Sequence, residues 1–254
     1  MRRAALYLLV ALVACGQLWS LLELLSIPLP TPPVVLGLEA AIVLAALAIG
    51  FFRKGGEEPK DMAAWAAIGL GMWIVWGTLY FAAAHVTDQP RARTFDDAIL
   101  AKLPLVPAFA AIYLGVHVFS IVPYCVIPES RHLRRYLLGN LLIVVLSSIL
   151  WVTLPVRVDR PTVPAELTGF GAWLLRGVYT FDPMTNCFPS AHCSVAVYAA
   201  IGMQHASRRL FAWGIMSATL VCISTVMTKQ HYVADVAAGA VLAAIAYAAI
   251  ARKR

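Results

Sequence analysis

The sequence predicts an all-α integral membrane protein of about eight transmembrane helices. Three observations carry that reading. Of the 254 residues, 61% are hydrophobic and only 13% are charged, whereas soluble domains run nearer half apolar and a quarter charged. The apolar residues gather in uninterrupted runs of roughly 20, the length a helix needs to cross the hydrocarbon core. Proline and charge punctuate those runs at Pro28 to Pro33, Arg53 to Asp61, Thr87 to Lys102 and Glu129 to Arg135. In lipid every backbone polar group must be paired within the chain, so runs of this length are read as helices.

The spans fall at about 4–25, 33–52, 62–85, 103–124, 136–155, 190–207, 210–228 and 231–251. The first follows Met1-Arg2-Arg3, and Leu12-Val13-Ala14-Cys15 resembles a lipoprotein cleavage box. The apolar run continues through Leu25, too long for a signal core, so a retained helix is expected. The longest connection, 156–189, holds Trp173 and Tyr179 and is expected to carry a short interfacial helix around 165–176. No internal repeat stands out.

Net charge is +7. The bases sit in short loops between spans, so the charge reads as membrane orientation rather than nucleic-acid binding. Arg2, Arg3, Arg53, Lys54, Lys60, Arg131, Arg134, Arg135, Arg208, Arg209, Arg252, Lys253 and Arg254 fall on one side. Arg91, Arg93, Lys102, Arg157, Arg160, Arg176 and Lys229 fall on the other. That bias places both termini in the cytoplasm and the 156–189 connection outside. The cysteines at 15, 125, 187, 193 and 222 lack metal-ligand spacing and read as small buried hydrophobes.

Three polar clusters interrupt the apolar chain, all at span ends on the outer side. Arg157-Val158-Asp159-Arg160-Pro161 follows the fifth span; arginine presents a donor fork that matches phosphate oxygens. Asn186-Cys187-Phe188-Pro189-Ser190-Ala191-His192 opens the sixth. Ser190 is a natural N-cap there, and a helix N-terminus is a ready anion site beside His192. Thr228-Lys229-Gln230-His231-Tyr232-Val233-Ala234-Asp235 spans the last turn. His231 and Asp235 are four apart and share a helix face. An aspartate can fix an imidazole's tautomer and stabilise its cation. A carboxylate inside an apolar helix is a functional candidate by default.

These residues resemble the PAP2 (type 2 phosphatidic acid phosphatase) superfamily, whose motifs are written K-x6-R-P, P-S-G-H and S-R-x5-H-x3-D. Here the second reads Pro189-Ser190-Ala191-His192, and the third keeps its spacing as Ser224, His231 and Asp235. The first keeps Arg160-Pro161. Thr153 and Thr225 stand where the family has lysine and arginine, and Lys229 and Arg157 are candidates to replace those bases. The Asn-Cys-Phe-Pro-Ser-x-His and Thr-Lys-x-His-Tyr-x-x-Asp runs look similar to a sub-branch that includes inositol phosphorylceramide and sphingomyelin synthases. The resemblance is close over 135–251. It implies a six-helix catalytic core at 61–254, preceded by two extra N-terminal helices at 1–60.

The resemblance implies roles. His231 attacks phosphorus, Asp235 orients it, and His192 moves the proton of the leaving and entering groups. Arg160, Lys229, Arg157 and the Ser190 helix end hold the phosphoryl oxygens, with no metal or cofactor. The expected activity is hydrolysis of a lipid phosphate at the outer face of a bacterial inner membrane. The alternative is transfer of a phospho-headgroup to an alcohol, ceramide or diacylglycerol-type acceptor. A transporter or non-catalytic scaffold would need polar mid-span residues and a repeat. Asp96 and Asp97 read as a solvated turn. Trp19, Trp73, Trp76, Trp151 and Trp173 read as packing or interface anchors, and Glu23 and Glu39 as span-end residues.

Overall fold

The computed structural model describes residues 2–27, 62–87 and 89–251. The expected span at 33–52 lies outside them. Among the described residues the regular structure is helical, apart from two isolated parallel bridges. α1 is Arg2–Leu24, α2 is Met62–Val86 and α3 is the short Ala98–Lys102. α4 is Ala110–Phe119, α5 is Val122–Val126 and α6 is Ser130–Thr153. α7 is Phe170–Phe181, α8 is Ala191–Met203, α9 is Arg208–Met227 and α10 is Val233–Ala246. Among the described residues, four helices are long and apolar enough to cross a membrane: Ile68–Val86, Ser130–Thr153, Arg208–Met227 and Val233–Ile250. Val10–Leu24, Pro107–Phe119 and Ala191–Met203 are shorter apolar helices.

The expected span at 103–124 is not one helix. Pro107 opens a 3-10 turn, Pro107–Phe109, that leads into α4, and Pro123 sits in the first turn of α5. Proline lacks the N–H that a continuing helix would use, so the chain restarts at each. The interfacial helix forms five residues later than expected. Its buried face is Phe170, Gly171, Ala172, Leu175 and Val178, while Trp173 and Phe181 are exposed. Glu23, at the end of α1, accepts the Gly171 N–H at 2.9 Å. A carboxylate is favoured at a helix N-terminus, and this contact ties α1 to α7.

α8 is the centre of the molecule. It has 13 residues, about 20 Å of helix, and eleven of them are buried. It packs against α4, α5, α6, α9 and α10. Val195 and Tyr198 join Ile143 and Val144 of α6 and Leu242 and Ala243 of α10. Ala196, Ala199, Ala200 and Met203 join Phe119, Val122, Ala218 and Val221. The small residues let neighbouring backbones approach closely. Enclosed in protein, α8 ends at Met203 instead of near 207.

The approach is closest where α10 crosses the start of α8. The Ser190 N–H donates to the Asp235 carbonyl at 3.1 Å. A Cβ on Gly239 would stand 2.6 Å from the Ser190 carbonyl oxygen. Only glycine fits there without displacing backbone. The ends of α6 and α9 remote from this crossing carry Arg131, Arg134, Arg135, Arg208 and Arg209.

Gly239→Ala should therefore push α10 off α8, with a destabilisation of about 1–3 kcal/mol. Thermal melts in detergent check this. Gly177→Ala, where nothing lies within 4 Å of the added carbon, should melt close to the parent.

Candidate active site

The turn between α9 and α10 carries His231. It is held by contacts along its length. The Gln230 and His231 N–H groups donate to the Thr225 carbonyl at 2.9 and 3.2 Å. The Tyr179 hydroxyl donates to the Thr228 carbonyl at 2.8 Å, and the Tyr232 hydroxyl to the Arg157 carbonyl at 3.0 Å. Lys229, at φ 55°, sends its ammonium into the Leu100 and Leu103 carbonyls, both at 2.6 Å. Asp97 accepts from Ile99 and Leu100 with one oxygen and from the Val233 N–H at 2.8 Å with the other. The solvated turn expected at Asp96 and Asp97 is thus corrected for Asp97, which caps α3 and pins the start of α10. Burial is the largest single effect and pushes its carboxyl up, but those backbone donors and the Lys229 charge together hold it below the ordinary range.

His231 and Asp235 are both buried, and Nδ1 lies 3.4 Å from Asp235 Oδ2. The same Nδ1 is 3.1 Å from the Cys187 carbonyl. A carbonyl can only accept, so Nδ1 carries the ring proton and a neutral His231 leaves its lone pair on Nε2. Asp235 Oδ2 also accepts the Tyr232 N–H at 2.9 Å. Burial works against a charged His231. The Asp235 hydrogen bond and negative charge, with smaller help from Cys193 and Asp182, together outweigh it and raise the His231 pKa above its ordinary value.

His192, in the first turn of α8, is 2% exposed, and its ring centre lies 5.9 Å from that of His231. Ser190 caps this helix by accepting the Cys193 N–H at 3.3 Å. Three irregular segments close around the pair. Val156 bridges to Arg93 on one side and Asn186 on the other, and the Val158 N–H donates to the Met184 carbonyl at 3.2 Å. The Trp151 indole donates to the Pro189 carbonyl at 3.1 Å, so it braces the cap rather than the interface. Trp76, expected as an anchor, meets His192 edge-on at 6.2 Å.

The proposed phosphate-holding residues are placed unequally. Arg160 donates to the Asp182 and Pro183 carbonyls at 2.7 and 3.1 Å, and its Nε is buried with no partner. Thr185 Oγ1 and Gln230 Nε2 are buried donors without partners in the same set of segments. Arg157 makes a half-exposed pair with Asp159 at 3.5 Å, while its carbonyl accepts the Tyr232 hydroxyl. The Lys229 ammonium is turned to the 100–103 carbonyls. Thr153 lines a surface recess of about 640 Å³ with Arg91 and Arg93. Thr225 is fully buried beneath the His231 turn.

Sequence reading missed Tyr80, Tyr113, His117 and Asp182. With Trp76 and His192 they line a cavity of about 700 Å³ between α2, α4 and α7. Apolar periodicity carries no signal for them, because they meet only through tertiary packing.

Among the described residues, Cys187, His231 and Asp235 offer ligand atoms within 4.8 Å of one another, a spacing that fits a metal ion. Their hydrogen bonds point to protons instead. His231 Nδ1 donates as above, and the Cys187 thiol donates to the Met184 carbonyl at 3.1 Å. Burial, with the Asp235 charge, pushes that thiol well above its ordinary pKa.

The long apolar helices mark the chain as a membrane protein. A family model described as PAP2 superfamily matches residues 133–254, just under half of the chain. The matched stretch runs from α6 through α10 and contains Arg160, Ser190, His192, His231 and Asp235. It suggests phosphatase- or phosphotransferase-type activity. It does not reach the synthase-like sub-branch. No curated protein and no solved structure matches the chain.

If the neutral ring of His231 is the reactive form, its raised pKa sets the acid limb of the pH–rate profile. Activity should then rise with pH through a midpoint above the ordinary histidine value of about 6.5. Asp235→Asn should move that limb to lower pH while lowering the maximal rate. A pH profile of kcat/KM for parent and variant checks both.

Proposed function

We propose that this protein is a membrane phosphatase that hydrolyses a lipid phosphate through a phosphohistidine on His231. The observation that carries the reading is the pairing of His231, its Nε2 left free by the bonds at Nδ1, with a second buried histidine 5.9 Å away.

In the first step the P–Nε2 bond to His231 forms as the P–O bond to the lipid alcohol breaks. His192 gives its proton to the departing oxygen. In the second step His192 takes a proton from water, the oxygen bonds to phosphorus, and the electron pair of the P–N bond returns to His231. Asp235 stabilises the positive charge on His231 throughout. The unpartnered donors Arg160 Nε, Thr185 Oγ1 and Gln230 Nε2, with the N-terminus of α8 capped by Ser190, take the phosphoryl oxygens as charge builds.

Arg157 and the recess residues Arg91 and Arg93 draw the anionic headgroup in by charge. Lys229 contributes by fixing the turn, since its ammonium already meets two carbonyls. These fixed cations and dipoles replace a metal in the reading. The large, mostly apolar cavity ending at His192 suits the apolar leaving group, which must sit next to the acid. The same cavity accepts an alcohol as readily, so transfer to an acceptor lipid is the second reading. The basic residues at the remote helix ends support a reading with that end in the cytoplasm and the site at the outer face.

The test is phosphate release by purified protein in detergent from phosphatidic acid and a prenyl diphosphate, with and without a chelator. Full activity in chelator and an acid-labile label on His231 are expected. His231→Ala should abolish turnover, and His192→Ala should cost roughly 10²–10⁴-fold. Because His231→Ala strands a buried carboxylate, the double variant with Asp235→Asn controls for folding. A new phosphodiester lipid in place of free phosphate would move the assignment to transfer. An unlabelled His231, or loss of activity in chelator, would overturn the mechanism.

A further inference from the structure

Asp182 closes α7, and both of its carboxylate oxygens are taken by tyrosines. Oδ1 accepts the hydroxyl of Tyr80 on α2, and Oδ2 accepts that of Tyr113 on α4. Both tyrosines are buried. The Tyr113 ring stacks on His192 with centroids 4.2 Å apart and planes 26° from parallel. Its oxygen lies 3.5 Å from His192 Nδ1, the long end of a hydrogen bond.

Proton counting decides the direction of that contact. Tyr113 has one hydroxyl proton, and Asp182 has it. The tyrosine oxygen can then only accept from His192. Nδ1 must carry the ring proton, which makes Nε2 the nitrogen that trades protons with substrate.

We propose that Asp182, acting through Tyr113, is the positioning carboxylate of His192, as Asp235 is of His231. The proposal rests on His192 being the acid–base group of the phosphohistidine reaction. Its geometry is the Asp182–Tyr113–His192 contact chain. Other groups also face His192. His117 comes from α4 at 5.7 Å, His231 from the turn at 5.9 Å, and Arg160 from the 157–161 segment. Tyr80 stands behind Asp182, and Trp76 closes the remaining side without charge. Arg160 and the two histidines bring positive or titratable charge to that ring, and Asp182 brings a carboxylate to it through Tyr113. The result is a pair of histidines, each tied to its own carboxylate, one directly and one through a phenol.

Tyr113→Phe keeps the stack and deletes only the oxygen; Asp182→Asn keeps the shape and deletes the charge. Each is assayed in the full chain by kcat/KM, which reports the first chemical step, on phosphatidic acid and on p-nitrophenyl phosphate. An alkyl leaving group needs the acid, and a nitrophenolate does not. The expected result is a fall of about tenfold or more on phosphatidic acid, with little change on p-nitrophenyl phosphate. The basic limb of the phosphatidic acid profile should move to lower pH, because His192 loses support for its protonated form. Equal losses on both substrates, with a lowered melting temperature, would show a structural role and overturn the proposal. So would two unchanged variants in a protein whose His231 is labelled. An unlabelled His231 in the parent would instead remove the underlying reaction, and the proposal with it.

Discussion

The site depends on the backbone crossing of α10 over the start of α8. Ser190 gives its N–H to the Asp235 carbonyl, and Gly239 lets the two chains meet without a side chain between them. That contact sets the spacing of the two histidines, because His192 is two residues beyond Ser190 and His231 four before Asp235. Side-chain packing alone would leave such a spacing free to drift by an ångström. A bond between main chains does not.

Around that crossing the molecule places its polar groups unevenly. The crossing holds a buried aspartate, two buried histidines and several donors with no partner. Leaving such groups unsatisfied costs about 1–3 kcal/mol each. In the proposed function that cost is offset by the phosphoryl group these donors receive. The surrounding segments are irregular yet tightly tied, with bonds at Thr228, Lys229, Gln230, His231 and Tyr232. Irregular backbone inside the membrane region is tolerated only where protein or a cavity satisfies it, and here the α3 clasp, α7 and the 156–158 strand-like segment do so.

The aromatic-rich cavity and the proposed catalytic pair meet at His192. One side of that ring faces His231, and the other faces Tyr113, Trp76 and the space between α2, α4 and α7. The proton transfer proposed for His192 suits such a boundary. The family-model match covers α6 through α10, α7 of the cavity wall included, and leaves α2 and α4 outside it.

The sequence by itself determined the helical membrane class, and with it the places where polar residues interrupt apolar runs. Hydrophobic periodicity and length report burial in lipid directly, so α1, α2, α9 and α10 were legible within a few residues, while α6 starts six residues before the expected 136 because its first turns are charged. His231 and Asp235 were legible because a four-residue spacing is local, and Ser190 because capping is local. Tertiary structure alone decided the rest. The span expected at 103–124 broke at its prolines, and Lys229 and Asp97 became braces of the turn. Tyr80, Tyr113 and Asp182, remote in sequence, met on one carboxylate. Contacts between distant segments leave no period and no spacing in the chain, because what selects them is the shape of the packed helices.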